Sequence, residues 1–295
     1  MNFPRAVSIR EVGPRDGLQA EDPVSIDARV ALIDALSATG LTTIEVVSFV
    51  SPKAVPAMAD PAEVLSRISR VDGVAYVALV PNLRGAQAAL ETQLDGLTVT
   101  VSASQAYSQK NTKRSIAESI VAVEEICAFV DGRVPIDVVL SCSFGSPYEG
   151  DIAPDVVAVL TRDIWDAGAT ALTLADTTGM ATPRRIDDVL DEVGTDLGLH
   201  LHETRGTALL NAYAALERGV ARFDTSVGGL GGSPFAAGAA GNLATEDFVH
   251  LLDDLGIVTG VDLGSLLTVD ELLAATIGHP VASNIARAGP RHAVV

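Results

Sequence analysis

Basic charge is scarce in this chain, and lysine is scarcer still. Twenty lysines and arginines face 38 aspartates and glutamates for a formal net charge of −18, and only three of the twenty, Lys53, Lys110 and Lys113, are lysines. So acidic a chain repels polyanions, which argues against nucleic acid or an anionic membrane as its partner. Aromatic residues make up 4% of a chain that is 48% hydrophobic, so the core must be Ala, Val, Leu and Ile. No run of roughly 18 residues is both uncharged and continuously apolar, as a membrane helix requires; the longest uncharged stretch, 225–245, is broken up by glycine, serine, proline and asparagine. The N-terminal MNFPRAVSIREVG lacks a signal peptide's apolar stretch. Cysteine is rare too. Cys127 and Cys142 are too few for a disulfide framework, and Cys127 in AVEEICAFV falls at an apolar helical position, as a core thiol does. A cytoplasmic globular protein is expected.

What is present is alternation. Short β-branched runs predict strands at 6–11, 42–47, 74–80, 96–103, 134–141, 169–176, 197–203 and 221–227. Between them lie amphipathic stretches such as SIDARVALIDALSATG and SIAESIVAVEEICAFV, with Gly40 and Gly168 placed as helix stops. Eight such units over 295 residues predict an α/β protein, a single-domain (β/α)8 TIM barrel over about 6–255 with appended C-terminal helices from about 256. An open doubly wound sheet is the alternative, because periodicity does not reveal closure. In a barrel the chemistry sits just past the strands' C-terminal ends. The polar motifs gather there: GPRDG, PNLR, SQKNTKR, SCSFGSPYEG, HLHE and the glycine-rich GGLGGSPFAAGAAGN. A stretch as bare as the last signals a turn, a phosphate cradle or a cover over a site.

His200 and His202 stand two apart on the predicted seventh strand, so their imidazoles face the same way. A structural pair of core histidines is the competing reading. Ring closure favours a metal, because it makes strands seven, eight and one neighbours and brings Asp16 and Asn242 beside the imidazoles. One carboxylate, two imidazoles and an amide oxygen suit Mg²⁺ or Mn²⁺, with Zn²⁺ less favoured in the absence of a thiolate. Arg15, next to Asp16, is then a fixed cation for charge developing beside the metal, or else a surface arginine in a turn.

VGPRDGLQ, IEVVSFVSPKAVPAMAD, SCSFGSPYEG, LADTTGMATP, LHLHETRGTALLN and SVGGLGGSPFAAGAAGNLATEDFVHLL together resemble the 3-hydroxy-3-methylglutaryl-CoA (HMG-CoA) lyase family, in order over about residues 7–255. The resemblance implies a metal-dependent retro-aldol cleavage of an acyl-CoA to acetyl-CoA and a β-keto acid. It implies metal ligation by Asp16, His200, His202 and Asn242, enolate stabilisation by Arg15, and proton movement by His200. Glu45 and Asp176 would shape the site, and the assembly would be a homo-oligomer, dimer or larger.

The chain departs from the family pattern at several places in one region. Ser233 and Phe235 stand where the family's glycine loop has a proton-transferring cysteine and a tyrosine, and Ser146 where another cysteine is usual. Lys113 replaces an asparagine, and Glu203 and Arg205 replace Asp and Tyr. A serine hydroxyl is far less acidic than a thiol, so Ser233, or a water it holds, is expected to move the proton less efficiently. Arg205 could bind a carboxylate absent from the ordinary substrate. For the CoA phosphates the local cations are Lys53, Lys110, Lys113 and Arg114. Two alternatives stay open: an aldolase or condensing synthase of the same superfamily, and an acyl-CoA-binding barrel that turns nothing over. A Schiff-base aldolase is disfavoured because no lysine lies on a predicted strand.

Overall fold

Each β-branched run becomes a strand, and the eight strands close on themselves. The computed structural model describes residues 3–232 and 241–291. Its strands are β1 (Ser8–Glu11), β2 (Thr43–Ser48), β3 (Ala75–Leu79), β4 (Gly96–Ser102), β5 (Ile136–Ser141), β6 (Ala171–Ala175), β7 (Gly198–His200) and β8 (Arg222–Thr225). All neighbours are parallel, and β8 pairs back onto β1 from Ser8↔Arg222 to Glu11↔Thr225, which eliminates the open sheet. Inward Ile, Val and Leu side chains and the apolar faces of the surrounding helices form one continuous core.

The helices are α1 (Ile26–Ser37), α2 (Pro61–Arg67), α3 (Leu83–Leu90), α4 (Gln105–Asn111), α5 (Ile116–Val130), α6 (Pro154–Asp166), α7 (Pro183–Val193) and α8 (Ala208–Arg218). They are followed by α9 (Thr245–Asp254), α10 (Leu263–Ile277) and α11 (Asn284–Ala288). Polar side chains cap several of their starts. Ser25 accepts the Ala28 amide, and Ser115 and Glu118 form a reciprocal capping box that satisfies two otherwise orphaned donors. Among the described residues no helix is long and apolar enough to cross a membrane.

Two local departures from ideal geometry shape the barrel mouth. After β1 the chain tightens into a π-type turn over Gly13–Gly17, with the amides of Asp16 and Gly17 both donating to the Val12 carbonyl. Such turns project consecutive side chains, here Arg15 and Asp16, in directions a regular helix would not. In β2 the register with β3 slips between Glu45 and Val47. A bulge of this kind re-aims a side chain on the bulged strand, here that of Glu45. The predicted seventh strand over 197–203 is shorter than expected and ends at His200. His202 lies beyond it in an isolated bridge to Asn242.

Behind the mouth, buried carboxyls tie the C-terminal helices to the barrel. Glu11 accepts the amides of Gly13 (2.7 Å) and Val227 (2.9 Å) and the Thr245 hydroxyl (2.5 Å). Glu246 accepts the Gly228 amide at 2.9 Å, and Asp270 of α10 lies beside it, also buried. Burial pushes Glu11 up to about 7 and Asp270 up to about 6. Burial and the Asp270 charge hold Glu246 well above the usual carboxylate range. Carboxyl groups with raised folded-state pKa values stabilise the fold while protonated, and lose that contribution as pH rises through about 6 to 7. Asp270→Asn should therefore raise the melting temperature more at pH 8 than at pH 5, by roughly 2–4 °C for each ~1 kcal/mol of relieved repulsion. Thermal unfolding at the two pH values checks this, and an equal shift at both would contradict it.

Candidate metal centre

Closure of the ring brings β7, β8 and β1 side by side, and the polar residues after them converge. Asp16, His200 and His202 are all buried, and one ligand atom from each lies within 4.8 Å of the others. The two Nε2 atoms are 3.1 Å apart, and His200 Nε2 is 4.0 Å from Asp16 Oδ2. Although His202 is off the strand, the rings still meet, with centroids 5.0 Å apart. Its bridge to Asn242 orders the chain past His200 in place of strand pairing.

Asn242 completes the group from the loop after β8. Its Nδ2 donates to Asp16 Oδ2 (2.8 Å) and to the Leu230 carbonyl (2.9 Å). With the amide so oriented, Oδ1 is buried without a partner among the described residues. An unpaired buried carbonyl oxygen is costly unless something outside the chain satisfies it. Together with a carboxylate and two converging imidazoles, it fits an oxophilic divalent cation. The close approach depends on Gly231, at φ +110°, where a Cβ would stand 2.4 Å from Asn242 Nδ2.

Around this cluster the charges are interlocked. Asp16 Oδ1 accepts from Arg15 Nη1 and from Gln19 Nε2, each at 2.7 Å. Arg15 Nε donates to Glu45 Oε2, and the Thr98 hydroxyl donates to Glu45 Oε1. Burial disfavours the Asp16 carboxylate, but Arg15 and the histidines outweigh it and hold its pKa below the usual range. On the far side of His200, Nδ1 lies 3.2 Å from Asp224 Oδ2. Burial also opposes the Asp224 charge, yet the Arg10 guanidinium and His200 keep it well below an ordinary carboxyl.

Asp176, at the end of β6, behaves differently. Its Oδ1 accepts the amides of Met180 (2.7 Å) and Ala181 (3.0 Å), while Oδ2 is buried without a partner among the described residues. Burial dominates and pushes it up to about 7. Near neutrality such a carboxyl is balanced between holding and releasing a proton.

Of the residues predicted for the CoA phosphates, all but Lys53 contact neighbouring groups of the chain. Lys53 is exposed in the turn after β2. Lys110 Nζ sits 3.8 Å from the Tyr148 ring centroid, Lys113 Nζ donates to the Lys110 carbonyl, and Arg114 donates to the Pro81 carbonyl. Arg205 Nη1 donates to the carbonyls of Thr178 (2.8 Å) and Gly179 (2.9 Å), which ties it to the loop after β6. Its charge reaches Asp176 and stabilises that carboxylate. Ser233 lies outside the described residues. The sequence reading missed Gln19, Thr98, Arg10 and Asp224. The last two carried a signal, since charged residues inside the runs SIRE and ARFDTSV must point into the barrel or out of it.

Known proteins were compared with the chain. Residues 6–273 match the HMGL-like family. A Pseudomonas aeruginosa protein named 3-hydroxy-3-isohexenylglutaryl-CoA/hydroxy-methylglutaryl-CoA lyase is 45% identical, over 98% of this chain and 98% of its own. The human mitochondrial hydroxymethylglutaryl-CoA lyase is 42% identical, over 97% of this chain and 90% of its own. Among solved structures, an HMG-CoA lyase from Acinetobacter baumannii in complex with coenzyme A and 3-methylmalate superposes with a TM-score of 0.94 at 40% identity. That match covers 100% of this chain and 99% of the other.

Proposed function

We propose, from the premise that this chain belongs to the HMGL-like family, that Asp16, His200, His202 and Asn242 hold one divalent ion over which a 3-hydroxyacyl-CoA is cleaved. The chain is a carbon–carbon lyase of the hydroxymethylglutaryl-CoA lyase kind, and its reaction is a retro-aldol. The substrate is HMG-CoA and the ion Mg²⁺ or Mn²⁺. The observation that carries the reading is the convergence of three buried ligand atoms beside the unpartnered Asn242 Oδ1.

When bound, the ion supplies Lewis acidity, which makes the substrate hydroxyl easier to deprotonate. The remaining steps fall to the chain's own groups. Asp176 Oδ2 takes the 3-hydroxyl proton. The C2–C3 bond breaks, its electron pair passing into the thioester as an enolate while C3 becomes the ketone of the β-keto acid. Arg15, its guanidinium fixed by Glu45, offsets the new oxyanion. A proton delivered by Ser233, or by a water it holds, then adds at C2 to give acetyl-CoA, and Asp176 returns its own proton to solvent. With Nδ1 committed to Asp224 and Nε2 facing the ligands, His200 is a holder of the ion rather than a mover of protons. Asp176 takes over that part of the role.

Release of acetyl-CoA from HMG-CoA, measured with Mg²⁺ or Mn²⁺ and again after chelation, tests the reading. Activity indifferent to chelation would overturn it. The Pseudomonas relative's name favours running 3-hydroxy-3-isohexenylglutaryl-CoA beside HMG-CoA, since the acyl group accepted is the finer question. Ser233→Cys addresses the departure in the glycine loop. A thiol near pH 8.5 is the better proton donor, so kcat should rise about 10-fold or more with KM unchanged. An unchanged kcat would mean that another group delivers the proton, and a rise from zero would favour the non-catalytic barrel. The localisation proposed is the cytoplasm, with Cys127 and Cys142 as free thiols.

A further inference from the structure

The inward-facing rung of the barrel that carries His200 is unusual in being ionic. Across three neighbouring strands the registers align His200↔Asp224 on β7 and β8, and Asp224↔Arg10 on β8 and β1. Parallel strands point residues of matching register to the same face, so the three side chains stand in a row. Arg10 grips both Asp224 oxygens, with Nε to Oδ1 at 2.8 Å and Nη2 to Oδ2 at 2.7 Å. Its third nitrogen, Nη1, donates to Asp137 Oδ2 at 2.8 Å, and the Thr173 hydroxyl donates to that same oxygen at 2.9 Å. Asp224 Oδ2 in turn faces His200 Nδ1. Arg10 and Asp224 also line a cavity of about 180 Å³ at the N-terminal mouth, so the row reaches from the ligand cluster toward the opposite end of the barrel.

We propose that Arg10 is a positioning residue for the metal centre. By clamping Asp224 through both oxygens it fixes the carboxylate that accepts from His200 Nδ1, and so commits His200 Nε2, as a lone-pair donor, to the ligand cluster. Three features support this. The guanidinium fork matches the carboxylate at both oxygens, which restrains its rotation as a single ammonium could not. Anchoring of Arg10 by Asp137 on β5 leaves the clamp little room to move. A histidine whose second nitrogen meets a fixed carboxylate is locked in one tautomer and one ring orientation. Without the clamp, Asp224 could turn toward the cavity and release the ring.

The inference rests on the metal reading above, and the experiment separates the two. Purified full-length wild type, Arg10→Lys and Arg10→Met are titrated with Mn²⁺ by calorimetry. The His200 tautomer is read separately in the metal-free proteins, from the nitrogen shifts of the labelled imidazole. Wild type is expected to bind Mn²⁺ and to carry the His200 proton on Nδ1. Arg10→Met should weaken Mn²⁺ binding by about 10–100-fold and mix the tautomers, and Arg10→Lys should recover part of both. KM for the thioester, measured at saturating Mn²⁺, should not change. Loss of the cation leaves Asp137 and Asp224 facing each other. If Arg10→Met fails to fold, Arg10→Lys carries the test, with a smaller loss of affinity expected. Unchanged affinity and tautomer in the folded variants, whatever their melting temperature, would overturn the inference while leaving the metal reading intact. A wild type that takes up no Mn²⁺ would overturn both.

Discussion

Asp16→Asn is expected to leave the barrel folded, to abolish divalent-ion binding at millimolar concentration and to lower kcat/KM by at least about 10³-fold. The substitution keeps the shape of the side chain and replaces an anionic oxygen by an amide. In the parent, Asp16 gathers Arg15, Gln19 and Asn242 and stands at the ligand cluster. Loss of an outer partner of a metal ligand typically costs 10–100-fold, so loss of the only anionic ligand should cost more. Calorimetric titration of Mn²⁺, with circular dichroism to show the fold intact, measures this directly. A variant that bound the ion as tightly as the parent would remove Asp16 from the ligand set.

Arg15→Gln should behave in the opposite way toward the ion. Binding should survive, while kcat falls by about 10²–10³-fold and KM moves little. That is the signature of a group that acts on charge appearing only in the transition state. One complication can be removed by design. Arg15 neutralises Glu45, whose side chain is buried, so the single variant also strands a carboxylate. In the double variant Arg15→Gln/Glu45→Gln that imbalance is gone. Recovery of most of the rate would assign Arg15 a purely structural part. Persistence of the loss would assign it to the oxyanion.

The strands were legible because each is a compact β-branched run bounded by glycine or polar punctuation. Closure was not legible from the same pattern. The clustering of polar motifs after the strand ends favours it, and the pairing of Ser8 with Arg222 settles it. The HLHE motif pointed to the imidazole pair, but alternation alone misjudged its setting. His202 escapes the strand and meets its partner through backbone pairing with Asn242. Arg10 and Asp224 carried a signal that stayed ambiguous for a related reason. A charged residue in a strand reads as solvent-facing until the strand is known to line a lumen. The predicted phosphate-binding cations sit in the expected loops, yet Lys113 and Arg114 donate to nearby carbonyls, as does Arg205, which was expected to meet a carboxylate. Contacts that specific are invisible to composition.

The glycines at the two ends of the glycine-rich stretch have a further meaning. A methyl group at Gly231 would strike the Asn242 amide, and one at Gly241 would land 1.7 Å from the Gly229 carbonyl oxygen. The junction at Gly231 is therefore keyed by shape to the Asn242 amide and that at Gly241 to the Gly229 backbone, while none of the four proposed ligands falls within residues 233–240. The octapeptide is therefore the segment to exchange in a test of proton delivery. Swapping in the version from a thiol-bearing relative, with both junction glycines kept, offers a way to retune proton delivery without moving the ion's footing.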